Sequence, residues 1–168
     1  MKLVSVFDIT GTEIKANDQV EVLDLDNEDG VITVLDAHEG RWISLSSSLF
    51  VEKVDKSPEM RMIQSAISAA QKAVVNHAHG PIDDFPYGTS QVSISPVTNT
   101  KFFKLLSQFG IGGPNEDSSA WVIENPGDSF MLSLKSKEVG AKAFATAIDN
   151  IKSRNKKISI IVESKEEV

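Results

Sequence analysis

The sequence predicts an α+β protein in two parts, a small closed N-terminal β-barrel over residues 1–57 and a small α+β domain over 58–168. Three observations carry that reading. Short β-branched runs separated by glycine-bearing turns fill the first part. One long amphipathic helix pattern opens at Ser57-Pro58. The charge balance also changes at that point, since residues 1–57 hold five basic and twelve acidic side chains, whereas the remaining residues hold twelve of each.

In the first part, Met1-Lys2-Leu3-Val4-Ser5-Val6-Phe7 is an apolar opening that Asp8 ends too early for a signal peptide. Gly11 to Asp18 is polar and anchored by Ile14. Val20, Val22, Leu23 and Leu25 form a strand run, Asn27-Glu28-Asp29-Gly30 a turn, and Val31-Ile32-Thr33-Val34-Leu35 the next strand. His38-Glu39-Gly40 turns into Arg41-Trp42-Ile43-Ser44-Leu45, Ser46-Ser47-Ser48 is a further turn, and Leu49-Phe50-Val51 is the last strand. Trp42 and Phe50 are expected in the barrel core, because small barrels need large side chains to fill them.

Ser57 and Pro58 suit a helix cap and a first helical position. The spacing of Ile63, Ala66, Ile67, Ala70, Val74 and His77 predicts a helix over about 59–77. Gly80-Pro81 stops it, and residues 81–88 read as an irregular loop. Gln91–Ser95 alternates as a half-exposed strand, Thr100–Phe109 as a short helix, and Gly110–Asn115 as a mobile loop. Trp121-Val122-Ile123 and Phe130–Leu134 read as two strands joined by the turn Glu124–Asp128. Lys137–Ser153 reads as a helix, Ile158–Val162 as a last strand, and Lys165–Val168 as a frayed tail.

Composition narrows the function classes. The 168-residue chain is 40% hydrophobic and 24% charged, as in globular proteins, with no apolar run long enough to span a bilayer. It has no cysteine, which excludes disulfides and thiolate metal sites and fits a cytoplasmic location. The net charge of −7 lies entirely in the N-terminal part, which would repel a phosphate backbone.

No catalytic constellation stands out, and the chain is expected to be non-enzymatic, with no cofactor and no bound metal. His77 and His79, with Asp83 and Asp84 close by, lack a third histidine and read as cations at a helix C-terminus. Asp24, Asp26, Glu28 and Asp29 lack the glycine and distal glutamate of a calcium loop. They read as exposed strand and turn carboxylates, and as candidates for a protein-interaction surface. Gly110-Ile111-Gly112-Gly113 has no following lysine to make a phosphate loop, and Ser46–Ser48 have no neighbouring base. Lys152, Arg154, Lys156 and Lys157 form the basic cluster of the chain. Two roles stay open for it, phosphate contact and completion of a helix C-terminus.

The segment Gly11 to Val22, followed by Asp29-Gly30-Val31-Ile32, resembles KOW domains, a family of SH3-like barrels in which a polar lead and an Asp-x-Val strand start precede a Gly-Val turn. The layout of the whole chain resembles an early DNA-binding family of T4-type phages. These resemblances imply contact with double-stranded DNA, or with a transcription or nucleoid protein, in the host cytoplasm. This barrel lacks the basic residues of nucleic-acid-binding KOW domains. Two functions follow: modulation of transcription or chromosome organisation by sequence-independent DNA binding through the basic cluster, and an acidic module that engages a basic protein or mimics nucleic acid.

Overall fold

A computed structural model describes residues 1–78, 86–129, 133–154 and 156–167, with Arg154 described by its backbone only. The chain is mixed α+β with two antiparallel sheets. It divides into two compact units, Met1–Ser57 and Pro58–Val168.

The N-terminal unit contains β1 (Lys2–Ser5), β2 (Gln19–Asp26), β3 (Val31–Asp36), β4 (Arg41–Ser46) and β5 (Phe50–Val51). They form one sheet in the order β4-β3-β2-β1-β5. Alternation sorts its faces. Val20, Ile32, Val34 and Phe50 turn inward with Leu3, Ile9 and Ile14, and Val22, Leu25, Ile43 and Leu45 pack against them. Aspartate shapes both long hairpins. Asp26 Oδ1 accepts the backbone N–H of Glu28 and of Asp29, and Asp36 Oδ1 those of His38 and Glu39. Gly30 (φ 65°) takes the left-handed position that closes the first turn.

Two expectations for this unit are corrected. The sheet is not closed, since β4 pairs only with β3, and β5 only with β1. With two residues, β5 is too short to bridge the seam, and the 3₁₀ turn Ser47–Leu49 carries the chain between the two edges. Trp42 is not core. It is 43% exposed, whereas Phe50 is buried at 6%. Trp42 shares the parity of Ser44 and lies on the outer face, because Ile43 and Leu45 take the inner one.

The C-terminal unit runs α1 (Pro58–Ala78), β6 (Gly88–Ser95), α2 (Lys101–Gln108), β7 (Gly113–Pro114), β8 (Trp121–Glu124), α3 (Leu134–Ala147), α4 (Ile151–Arg154) and β9 (Ser159–Glu166). The sheet order is β7-β8-β6-β9. Helix α3 packs on β6 and β9, and α1 packs on α3 and α2. The buried stripe of α1 is Met60, Ile63, Ala66, Ala70 and Val74. Its alanines permit close helix approach. Gly127 uses that space, since a Cβ there would lie 2.9 Å from the Ala70 carbonyl and 3.2 Å from Gly140 Cα.

Several boundaries move for physical reasons. Ser133 and Leu134 do not extend a strand. Ser133 caps α3 through its side chain, so that helix begins one turn early, and Phe130–Leu132 of the expected strand lie outside the described residues. Strand β8 therefore finds its partners in β6 and β7. Part of the expected loop at Gly110–Asn115 is strand β7. The expected helix over 137–153 is broken after Ala147, where Ile148 N–H bonds Phe144 and Asp149 N–H tightens onto Thr146. The short polar side chains of Asp149 and Asn150 disfavour helix continuation. Lys165 and Glu166 of the expected tail are strand, since β9 pairs with β6 as far as Glu166. Residues 79–85, which held the expected helix stop and most of the loop, lie outside the described residues.

Candidate nucleic-acid and docking surfaces

The basic cluster sits where α3 gives way to α4 and the turn into β9. Ile148, Ile151 and Ile158 are buried at 0%, 7% and 6% and pin this segment to the core. The residues between those anchors are left to the surface. Lys156 and Lys157 are exposed, and Lys152 is half-buried, with its Nζ 2.7 Å from Asp149 Oδ1. One of the four cations is thus partly neutralised by its own helix turn. The side chain of Arg154 lies outside the described set.

A cleft of about 310 Å³ adds to this region. It is lined by Glu59 and Met62 of α1, by Thr100, Lys101 and Phe102 at the start of α2, and by Ile151 and Ile158. Exposed Lys101 therefore stands beside the two isoleucines that bracket residues 152–157, and exposed Lys104 follows one turn along α2. The first turn of α2 adds the positive end of a helix dipole. Glu59 is the acidic member of the lining. Nothing in the local sequence joins Lys101 to this region some fifty positions later; the fold sets it on one cleft with Ile151 and Ile158.

The acidic candidates are distributed along one hairpin. Asp24, Asp26, Glu28 and Asp29 are all exposed. Asp26 acts as a turn cap, and Asp24 Oδ1 accepts the Leu25 N–H. The register sets Asp24 opposite Thr33 and Asp26 opposite Val31, with a bulge between Val22 and Asp24. They form a rim of charge.

Among the described residues there is no group of three or more histidines and carboxylates able to hold a metal ion. His77 lies in the last turn of α1, and its buried Nε2 has no hydrogen-bond partner among the described residues. His79, Asp83 and Asp84 lie outside them. Ser46 and Ser48 hydrogen-bond each other at 2.8 Å in the turn before β5, an arrangement without a base. No helix among the described residues is long and apolar enough to cross a membrane.

Glu163 and Asp117 are displaced from the usual carboxyl range. Glu163 is held low by hydrogen bonds donated by Gln91 Nε2 (2.8 Å) and Ser93 Oγ (2.9 Å) across the β6–β9 seam. Asp117 is held low chiefly by the Ser119 side chain and then its backbone N–H, in the loop before β8. Each donor set stabilises the ionised form. Both belong to surface hydrogen bonding and neither borders the basic cluster in sequence.

Comparison with family models, with curated proteins and with solved structures finds no match to this chain.

Proposed function

We propose that this is a non-enzymatic regulatory protein of the cytoplasm that modulates transcription or chromosome organisation by sequence-independent contact with duplex DNA. The contact surface is the basic end of the C-terminal unit, formed by Lys152, Arg154, Lys156 and Lys157 together with Lys101. The observation that carries this reading is the cleft that sets Lys101 beside Ile151 and Ile158. It supports reading the run at 152–157 and Lys101 as parts of one surface. Lysines scattered over helix ends and turns suit phosphates, which carry no base information. The resemblance to KOW domains and to an early DNA-binding family of T4-type phages points the same way.

The N-terminal unit is read as an open variant of an SH3-like barrel of the KOW type, its β4 and β5 edges unpaired with each other. The strand order β4-β3-β2-β1-β5 and the 3₁₀ turn before β5 support this. Its excess of acid turns DNA away and leaves the contact to the C-terminal unit.

Fluorescence anisotropy with two unrelated labelled duplexes tests the proposal. Both should bind alike, and affinity should fall steeply between about 50 and 200 mM salt. Replacing Lys152, Arg154, Lys156 and Lys157 with alanine should weaken both equally and lower the salt slope by about one unit per lost contact, and adding Lys101→Ala should lower it further. Absence of binding at low salt, or an unchanged slope in the quadruple variant, would sink the DNA reading.

A further inference from the structure

We infer that the outer face of the N-terminal sheet is a docking surface for an extended polypeptide segment rich in arginine and lysine. The inference does not rest on the DNA reading and concerns the other unit. It starts from apolar side chains on the wrong side of the sheet. Leu23 is 63% exposed and Trp42 43%. Leu35 on β3 lies directly opposite Trp42 on β4 and shares its outward parity. Leu23 stands on β2 at the bulge between Val22 and Asp24, where the ladder slips by a residue. A bulge re-aims side chains at the cost of local pairing. Here it leaves both Leu23 and Asp24 on the exposed side. Leu35 and Trp42 are thus direct neighbours on this face and Leu23 lies diagonal to Leu35 across the bulge, an apolar strip staggered over three strands and roughly 10 Å wide.

The rim of that strip is acidic. Glu21, Asp24 and Asp26 follow β2, and Glu28 and Asp29 continue round its turn, all exposed. The cations close by are already engaged or opposed, since Arg41 is ion-paired with Glu39 and Lys2 lies opposite Glu21 on β1. The surface therefore joins a flat aromatic ring and two leucines to a carboxylate edge. An extended chain presents side chains alternately, so apolar residues can meet the strip while arginines reach the rim. The indole face adds cation–π attraction for a guanidinium. A neutral segment would gain the apolar contact only, and a negatively charged one would also meet repulsion at the rim. Charge complementarity selects the basic segment as occupant.

The test uses the whole chain and a fluorescein-labelled peptide of about twelve residues repeating Arg-Leu-Arg-Ser, against the same peptide with glutamate for arginine. Anisotropy at physiological salt should show binding of the first only. Trp42→Ala, an exposed position, should weaken it about tenfold or more, with Trp42→Phe retaining most of the affinity. Asp24→Asn with Asp26→Asn, which keeps the turn acceptor, should weaken it several-fold and flatten its salt dependence. Far-UV circular dichroism checks that each variant is folded. Unchanged binding in Trp42→Ala would reduce the interaction to diffuse charge attraction and overturn the proposal, as would equal binding of the glutamate peptide. Duplex DNA should bind Trp42→Ala as it binds the parent. Duplex that displaces the peptide from the parent would put both on one surface and overturn the assignment.

Discussion

The two units solve the same problem with different materials. Met1–Ser57 contains no helix beyond a single 3₁₀ turn, and its core is a few β-branched and aromatic side chains within one sheet. Pro58–Val168 lays α3 on a four-stranded sheet and α1 on α3, with alanines and glycines at the closest approach. The first carries the whole charge excess of the chain, while the second is neutral, with a run of four basic residues at 152–157. The comparison teaches that fold and charge are divided along the same line. A small sheet with few large core residues has little stability in reserve. The larger unit distributes its stability over interlocking helices.

The most severe way to break that comparison is to empty one core at a time. Phe144 is fully buried on α3, and Ile32 fully buried on β3. Phe144→Ala should cost about 3–5 kcal/mol and Ile32→Ala about 2–5 kcal/mol. The consequences should differ more than the energies. Ile32→Ala should leave the N-terminal unit largely unfolded at room temperature, while Phe144→Ala lowers the denaturation midpoint of a C-terminal unit that still folds. The two tryptophans report separately, because Trp121 is buried at 7% in the C-terminal unit and Trp42 is exposed in the N-terminal one. Guanidinium titrations followed by Trp emission and by far-UV circular dichroism should show two transitions in the parent, only one of which moves in each variant. A single transition shifted by both substitutions would show that the units fold as one.

A gentler probe addresses the close helix packing that sets the second unit apart. Adding a methyl at Gly127 would place Cβ 2.5 Å from Val74 Cγ2 and 2.9 Å from the Ala70 carbonyl. At Gly140 the nearest atoms would be Val74 Cγ2 at 3.0 Å and Gly127 Cα at 3.2 Å. A backbone carbonyl cannot rotate away as a side-chain methyl can. Gly127→Ala should therefore destabilise by about 1–3 kcal/mol, and Gly140→Ala by less. Thermal denaturation of the two variants side by side checks the order. The reverse order would show that the turn before α3 is more yielding than the helix pair it touches.

How much of this was legible in the residues depends on the range of the signal. The strands of the first unit and helix α1 follow from period-two and period-3.6 patterns, which are local, and the structure has them within a residue or two. The outward position of Trp42 was also available, since Ile43 and Leu45 share one parity and Trp42 the other; the argument that barrels need bulky fillers overrode the alternation. Other features are not local. Leu134 begins a helix because Ser133 caps it, although the run Phe130–Leu134 reads as a strand. The Glu124–Asp128 turn looks like a solvent-facing hairpin tip, yet Gly127 is buried against α1 and α3. Closure of the barrel depends on whether β4 meets β5, a pairing that neither strand's sequence specifies. In the candidate site, the cations of residues 152–157 stand out in the sequence, while the place of Lys101 on one cleft with Ile151 and Ile158 comes only from the fold.

The smallest expected effect tests whether the neutral unit has a pH response of its own. Glu163 on β9 is held below its ordinary range, first by the Gln91 amide and second by the Ser93 hydroxyl. A carboxyl whose folded value is depressed adds stability above its unfolded value, near 4.5, and loses it as pH falls through the folded one. The group is exposed, so solvent screening limits the gain to about 0.5 kcal/mol or less. Glu163→Gln should therefore be slightly less stable than the parent at neutral pH, and the difference should close as the pH falls through the lowered folded value. Asp117 is also held low, by Ser119. A bulk acid denaturation curve would mix the two. Side-chain carboxyl shifts followed by NMR separate them, and paired urea midpoints for parent and variant read the Glu163 contribution. A difference that stays constant down to acid would assign it to neutral hydrogen bonding across the β6–β9 seam. A difference that vanishes would assign it to the charge.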